Sequence, residues 1–126
     1  MSELVLPKID KNILSKKSLI VSDLKKIINK DNVLSDADEI KPYETDALAA
    51  YKNTPLAVVL PENTQEISEI LKYCNNENIK VIPRGAGTGL SGGALPLNDA
   101  ILLGLGKFNK ILDIDFNNNC VVTQPG

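Results

Sequence analysis

Between Leu56 and Pro83 the sequence passes from an apolar run to an amphipathic stretch and back to an apolar run. The first run, LAVVL (Leu56 to Leu60), is flanked by Pro55 and Pro61, as a short strand buried on both faces should be. In the stretch that follows, Ile67, Ile70, Leu71 and Cys74 recur at i, i+3, i+4 and i+7 and form one apolar helical stripe. Asn63 or Thr64 caps this helix, and Glu66 stands where a capping box with Asn63 needs it. Asn75 and Asn76 stop it, and IKVIP (Ile79 to Pro83) reads as the second strand. A strand, a helix and a strand this close predict a βαβ unit with parallel strands and a right-handed crossover.

The second strand leads straight into PRGAGTGLSGGALP, Pro83 to Pro96, which holds five of the chain's eight glycines between Gly85 and Gly93. Loops off the carboxyl ends of parallel strands are where ligands of open α/β sheets sit. A Walker A loop is excluded, because no lysine lies between Pro83 and Pro96 to reach a phosphate. The hexapeptide GTGLSG (Gly87, Gly89, Gly92) fits the dinucleotide fingerprint, with Asp113 downstream. Its context is wrong, since the last glycine should open a helix and GALPLNDA supplies Gly93 and Pro96 instead. The third reading is a coiled phosphate cradle, in which side-chain-free N–H groups form a nest for anionic oxygens. Thr88 and Ser91 add hydroxyl donors, and Arg84, the sole arginine, braces the loop or approaches the anion. A plain chain reversal is the bland alternative, but it needs one or two glycines.

Composition narrows the chemistry. Fourteen Lys and Arg against sixteen Asp and Glu give a net charge of −2, which argues against a polyanion-binding role. The chain has no histidine, so it carries no imidazole base or imidazole metal ligand. Cys74 and Cys120 lack metal or redox spacing and read as reduced, buried thiols. The opening residues contain no apolar leader core, no stretch is long enough to span a bilayer, and the default address is cytoplasmic.

Before Pro55 the pattern is uneven. A short helix is expected from Ser22 as N-cap, with Leu24, Ile27 and Ile28 on one face and Asn29 to Asp31 ending it. Pro42 and Pro55 bracket a linker or short helix in which Tyr43 and Tyr51 serve as anchors. After the glycine loop, AILLGL (Ala100 to Leu105) is a third buried strand. Leu112 and Ile114 then alternate with Asp113 and Asp115, Asn117 to Asn119 make a turn, and Cys120 to Thr123 return antiparallel. A parallel unit followed by a hairpin predicts an α+β fold. Glu44 and Asp46 read as capping or local hydrogen-bonding residues and Asp113 and Asp115 as turn-flanking carboxylates, which leaves no catalytic residue.

VIPRGAGTGLSGGALPL resembles the FAD diphosphate loop of the vanillyl-alcohol oxidase/PCMH flavoprotein family, in its glycolate oxidase GlcD and FAD-linked D-lactate dehydrogenase branch. PYETDALAAYKNTPLAVVLPENTQEISEIL, LLGLGKFNKILDID and VVTQPG extend the likeness from about Tyr43 to Gly126. The resemblance implies that Pro83, Arg84, Gly85, Ala86, Gly87, Thr88, Gly89 and Leu90 form the FAD-binding loop, with the glycine amides as donors. Ser91, Gly92 and Gly93 would complete the turn by shape. Some relatives attach flavin through a histidine here; with Thr88 in that region, FAD is expected to be held non-covalently.

The same resemblance implies a truncated PCMH-type FAD-binding domain. A small parallel subdomain with a third strand is followed by the opening hairpin of a second, antiparallel one. Residues 1–54 are expected to form a helical or irregular segment, and residues 55–126 the incomplete domain. The parent would oxidise a 2-hydroxy acid such as glycolate or D-lactate, passing hydride to FAD. Its expected partners are the small acid, companion oxidase subunits and the missing C-terminal part, with no nucleic acid. Companion subunits would place it peripherally on the inner membrane. The alternative is a non-catalytic remnant that acts as an interaction module.

Overall fold

The computed structural model describes residues 5–126. Two helices come first, α1 (Lys11–Ser15) and α2 (Lys17–Ile27). The helix expected to open at Ser22 therefore begins well before it. Asp10 caps α1 by accepting from the N–H groups of Asn12 (2.8 Å) and Ile13 (3.4 Å), and Ser22 is an exposed position inside α2. Ile13, Ile20, Val21 and Leu24 fall on one buried face, and that face outweighs a local capping signal. The expected stop does hold: Asn29 accepts from the Asp31 N–H at 3.1 Å after α2 ends.

A two-residue strand, β1 (Val33–Leu34), and a single helical turn, α3 (Ala37–Ile40), precede β2 (Ala57–Val59). Next come α4 (Thr64–Asn76), β3 (Lys80–Arg84) and β4 (Ala100–Gly104). The four-stranded sheet has the order β1-β2-β4-β3. β2 and β3 each run parallel to β4, which lies between them, and β1 is an antiparallel edge. β2 and β4 are buried along their whole length, which explains their unbroken apolar sequences.

α4 starts as its sequence requires, with the Asn63 side chain accepting from the Glu66 N–H at 3.0 Å. The return contact differs from a standard capping box, because Glu66 accepts from the N–H of Glu62 (2.7 Å). Ile70 and Cys74 are buried against the sheet, the Ile70 side chain contributing roughly 1.5–3 kcal/mol. Leu71, expected on the same stripe, is 43% exposed because it sits at the margin of the contact face. One core cluster joins α1, α2, α4 and one sheet face through Ile13, Leu24, Ile70, Cys74, Val59 and Ile101. A smaller one on the opposite face packs Ile40 and Tyr43 over Val58 and Leu102.

β5 (Ile111–Asp115) and β6 (Cys120–Thr123) form a separate antiparallel hairpin. Asn119 takes a left-handed φ of 52° in its turn, and Asp115 accepts from the N–H groups of Asn117 and Asn118, both at 3.0 Å. Cys74 is buried as expected, whereas Cys120, also expected to be buried, is exposed on a strand that none of the described residues covers.

Candidate functional site

The link from β3 to β4 carries no helix, although neighbouring parallel strands are usually joined through one. Pro83 and Arg84 still belong to β3, paired with Leu103 and Gly104, and the irregular loop starts at Gly85. Without a helix the loop backbone has no regular partner. Among the described residues, no protein acceptor takes a backbone N–H from Gly85 through Ala94. That leaves a row of free donors at the carboxyl end of a parallel sheet, the electrostatic requirement of an anion nest. Thr88, Gly89 and Leu90 are exposed, with Leu90 at 73%.

Two glycines have left-handed backbones, Gly87 at φ 72° and Gly92 at φ 77°. At Gly87 the Arg84 guanidinium fills the space of an absent side chain, its Cζ 2.6 Å and Nε 2.8 Å from where Cβ would stand. Gly89 and Gly93 are open: a Cβ there would meet nothing within 4 Å. The loop is therefore tight beneath Gly87 and clear at Gly89 and Gly93.

Arg84 braces this loop. Its Nη1 donates to the Thr45 carbonyl at 2.6 Å, and its guanidinium lies 5.7 Å from the centre of the Tyr43 ring. Tyr43 is thus an anchor, as its sequence setting suggested. The segment beneath is a compact turn, in which the Thr45 hydroxyl donates to the Tyr51 carbonyl (3.0 Å) and Asn53 N–H to the Glu44 carbonyl (2.8 Å). Glu44 pairs with Lys52 at 3.3 Å, and Asp46 accepts from the Leu48 N–H at 2.9 Å, so both act locally. On the other side the Pro125 carbonyl comes within 3.0 Å of a Cβ at Gly85. The roles of Thr45 and Pro125 at the loop carried no sequence signal, since each contributes a carbonyl that any residue possesses.

The far end of the loop is held by Asp99, which is 2% exposed. Its Oδ2 accepts from Lys80 Nζ (2.6 Å) and from the Asp10 N–H (2.7 Å), fastening the N-terminal segment to the start of β4. Burial pushes the Asp99 carboxyl up, but the hydrogen bonds from Lys80 and Asp10 and the Lys80 charge together hold it below its ordinary value.

A family model described as FAD binding domain matches residues 55–126. The glycolate oxidase subunit GlcD of Escherichia coli (strain K12) is 47% identical over 94 residues, covering 75% of this chain and 19% of that protein. The mitochondrial D-2-hydroxyglutarate dehydrogenase of Arabidopsis thaliana is 38% identical over 106 residues, covering 84% of this chain and 19% of that protein. The chain thus spans about a fifth of the length of these relatives. Among solved structures, p-cresol methylhydroxylase with substrate bound is similar with a TM-score of 0.67 and 27% identity, over 89% of this chain and 22% of that one. The chain belongs to the FAD-binding-domain family of the vanillyl-alcohol oxidase/PCMH flavoproteins, in the glycolate oxidase GlcD and D-lactate dehydrogenase branch.

Proposed function

We propose that this chain is the FAD-cradling portion of a flavin-dependent 2-hydroxy-acid oxidoreductase acting on a small acid such as glycolate or D-lactate. Residues 1–54 form the segment before the cradle, which Tyr43 and Thr45 brace through Arg84, and residues 55–126 form the FAD-binding part. The observation that carries the reading is the row of uncommitted N–H groups from Gly85 to Ala94, opened by the left-handed turn at Gly87. The amides of Gly85, Gly87 and Gly89 take the diphosphate oxygens, with Pro83, Ala86, Thr88 and Leu90 giving the loop its course. Arg84 holds the loop from below. FAD supplies the hydride-accepting chemistry when bound, and the chain's own residues supply binding and orientation. Attachment is non-covalent in this segment, which has no histidine.

The test is a fluorescence titration of the purified chain with FAD, with NAD as the control. Saturable FAD binding with none for NAD supports the cradle, and equal binding of both rejects it.

A second reading is supported by the hairpin. Ile114 (51%), Phe116 (84%), Val121 (57%) and Val122 (52%) are exposed on β5, β6 and their turn. Ile114 and Val121 are cross-strand partners, so they share one face of the hairpin, and exposed apolar side chains paired in this way are the feature of an interaction surface. The chain would then be a non-catalytic module that binds the complementary part of the same enzyme or a companion subunit. Failure to bind FAD alone, with binding restored by that complementary part, selects this reading.

A further inference from the structure

Asp46 is 5% exposed, and its two carboxylate oxygens are treated unequally. Oδ1 accepts from the Leu48 N–H, while Oδ2 is buried and, among the described residues, has no hydrogen-bond partner. A buried acceptor left unmet costs about 1–3 kcal/mol, and more when it is charged. Such a group calls for a donor that the described residues do not supply in this arrangement.

The surroundings point to one donor. Lys52, the lysine bonded to this segment, is engaged by Glu44 at 3.3 Å. Arg84 has five N–H donors, and among the described residues a single one is placed, on the carbonyl of Thr45, the residue next to Asp46. The segment carrying Asp46 also touches the glycine loop at two points. Thr45 holds the guanidinium that underlies Gly87, and Leu48 lies 3.8 Å from where a Gly92 side chain would begin.

We propose that Asp46 is a positioning residue for the glycine loop, its Oδ2 being the second acceptor for Arg84 when the loop closes on a diphosphate. This rests on the FAD-cradle reading above. As the free N–H groups close on phosphate oxygens, Gly87 shifts and the guanidinium beneath it shifts too. The single bond to the Thr45 carbonyl is then exchanged for a charge-assisted one to Asp46, which fixes the loop in its loaded form.

Because Arg84 is the sole arginine, its Nε–H gives one side-chain signal in a ¹H–¹⁵N spectrum. That signal is followed in wild type, Asp46→Asn and Asp46→Ala during titration with FAD and, separately, with inorganic pyrophosphate. Asn keeps an acceptor for the Leu48 N–H and removes the carboxylate; Ala removes both. In wild type either ligand should shift the signal and slow its exchange with water. In Asp46→Asn the slowing should vanish and the dissociation constant rise about tenfold, with melting at or above the wild-type temperature. Adding Asp46→Asn to Arg84→Lys should weaken binding no further than Arg84→Lys alone. Wild-type affinity and exchange in Asp46→Asn, or full additivity in the double variant, would overturn the proposal. Response to pyrophosphate without response to FAD would reject the FAD reading while still deciding the role of Asp46. A wild-type signal that moves with neither ligand rejects both.

Discussion

The guanidinium of Arg84 occupies the volume that a side chain on Gly87 would need. Gly87 also holds a φ of 72°, which costs an ordinary L-residue about 1–2 kcal/mol. Gly87→Val should therefore lose FAD binding and lower the melting temperature together, as fluorescence titration and thermal unfolding will show. A variant that retains wild-type affinity would remove Gly87 from the cradle.

Gly89 offers the complementary case. A Cβ there meets nothing within 4 Å and its φ is not left-handed, so Gly89→Ala should leave unfolding within about 0.5 kcal/mol of wild type. Its FAD affinity should nevertheless fall, since the methyl group stands where the phosphate approaches. Unchanged affinity would place the ligand elsewhere on the loop.

Acid should loosen the fold through Asp99. Its carboxyl is held below the ordinary value of 3.8, so the stabilisation is complete above that value and lost as pH falls through the lowered folded one. Asp99→Asn should cost about 1–3 kcal/mol at neutral pH. It should also flatten the acid limb of the stability profile below about pH 3.8. Parallel acid limbs for the two proteins would show that the charge on Asp99 contributes nothing through Lys80 and the Asp10 N–H.

The two thiols should react in sequence. Cys74 is 1% exposed and burial pushes its thiol up to about 11, while Cys120 is exposed. Thiol titration of the native chain should count one fast cysteine, and denaturant should release the second. Fast labelling of both would mean that α4 opens readily from the sheet.

The hairpin surface should make the isolated chain self-associate at high concentration, and Phe116→Ser with Ile114→Lys should reduce that on sizing. A wild-type chain that elutes as a clean monomer would count against the interaction-module reading.

The parallel strands, α4 and the hairpin were legible because each rests on a local signal: a proline-bounded apolar run, the Asn63 cap, the Asn117 to Asn119 turn. The glycine loop was legible as an irregular, helix-free link off the end of a parallel strand for the same reason. Long-range pairings were not. Nothing in the sequence says that β4 inserts between β2 and β3, or that Thr45 offers its carbonyl to Arg84. α1 was hidden because its five residues are too few to show a helical stripe, and the burial of Ile13 depends on contacts made far along the chain. Asp46 read as a local hydrogen-bonding residue, and one of its oxygens is; burial of the other is a property of the assembled fold.

The passage from β3 to β4 is made entirely by the loop that the diphosphate would occupy. Two strands that must find each other edge to edge are thus tethered by the most entropic stretch of the chain. Closing that tether is a cost the polypeptide meets during folding, before any ligand is present. A ligand that binds the closed tether and not the unfolded chain would return part of that cost, so flavin supply would set what fraction of the chain stays folded.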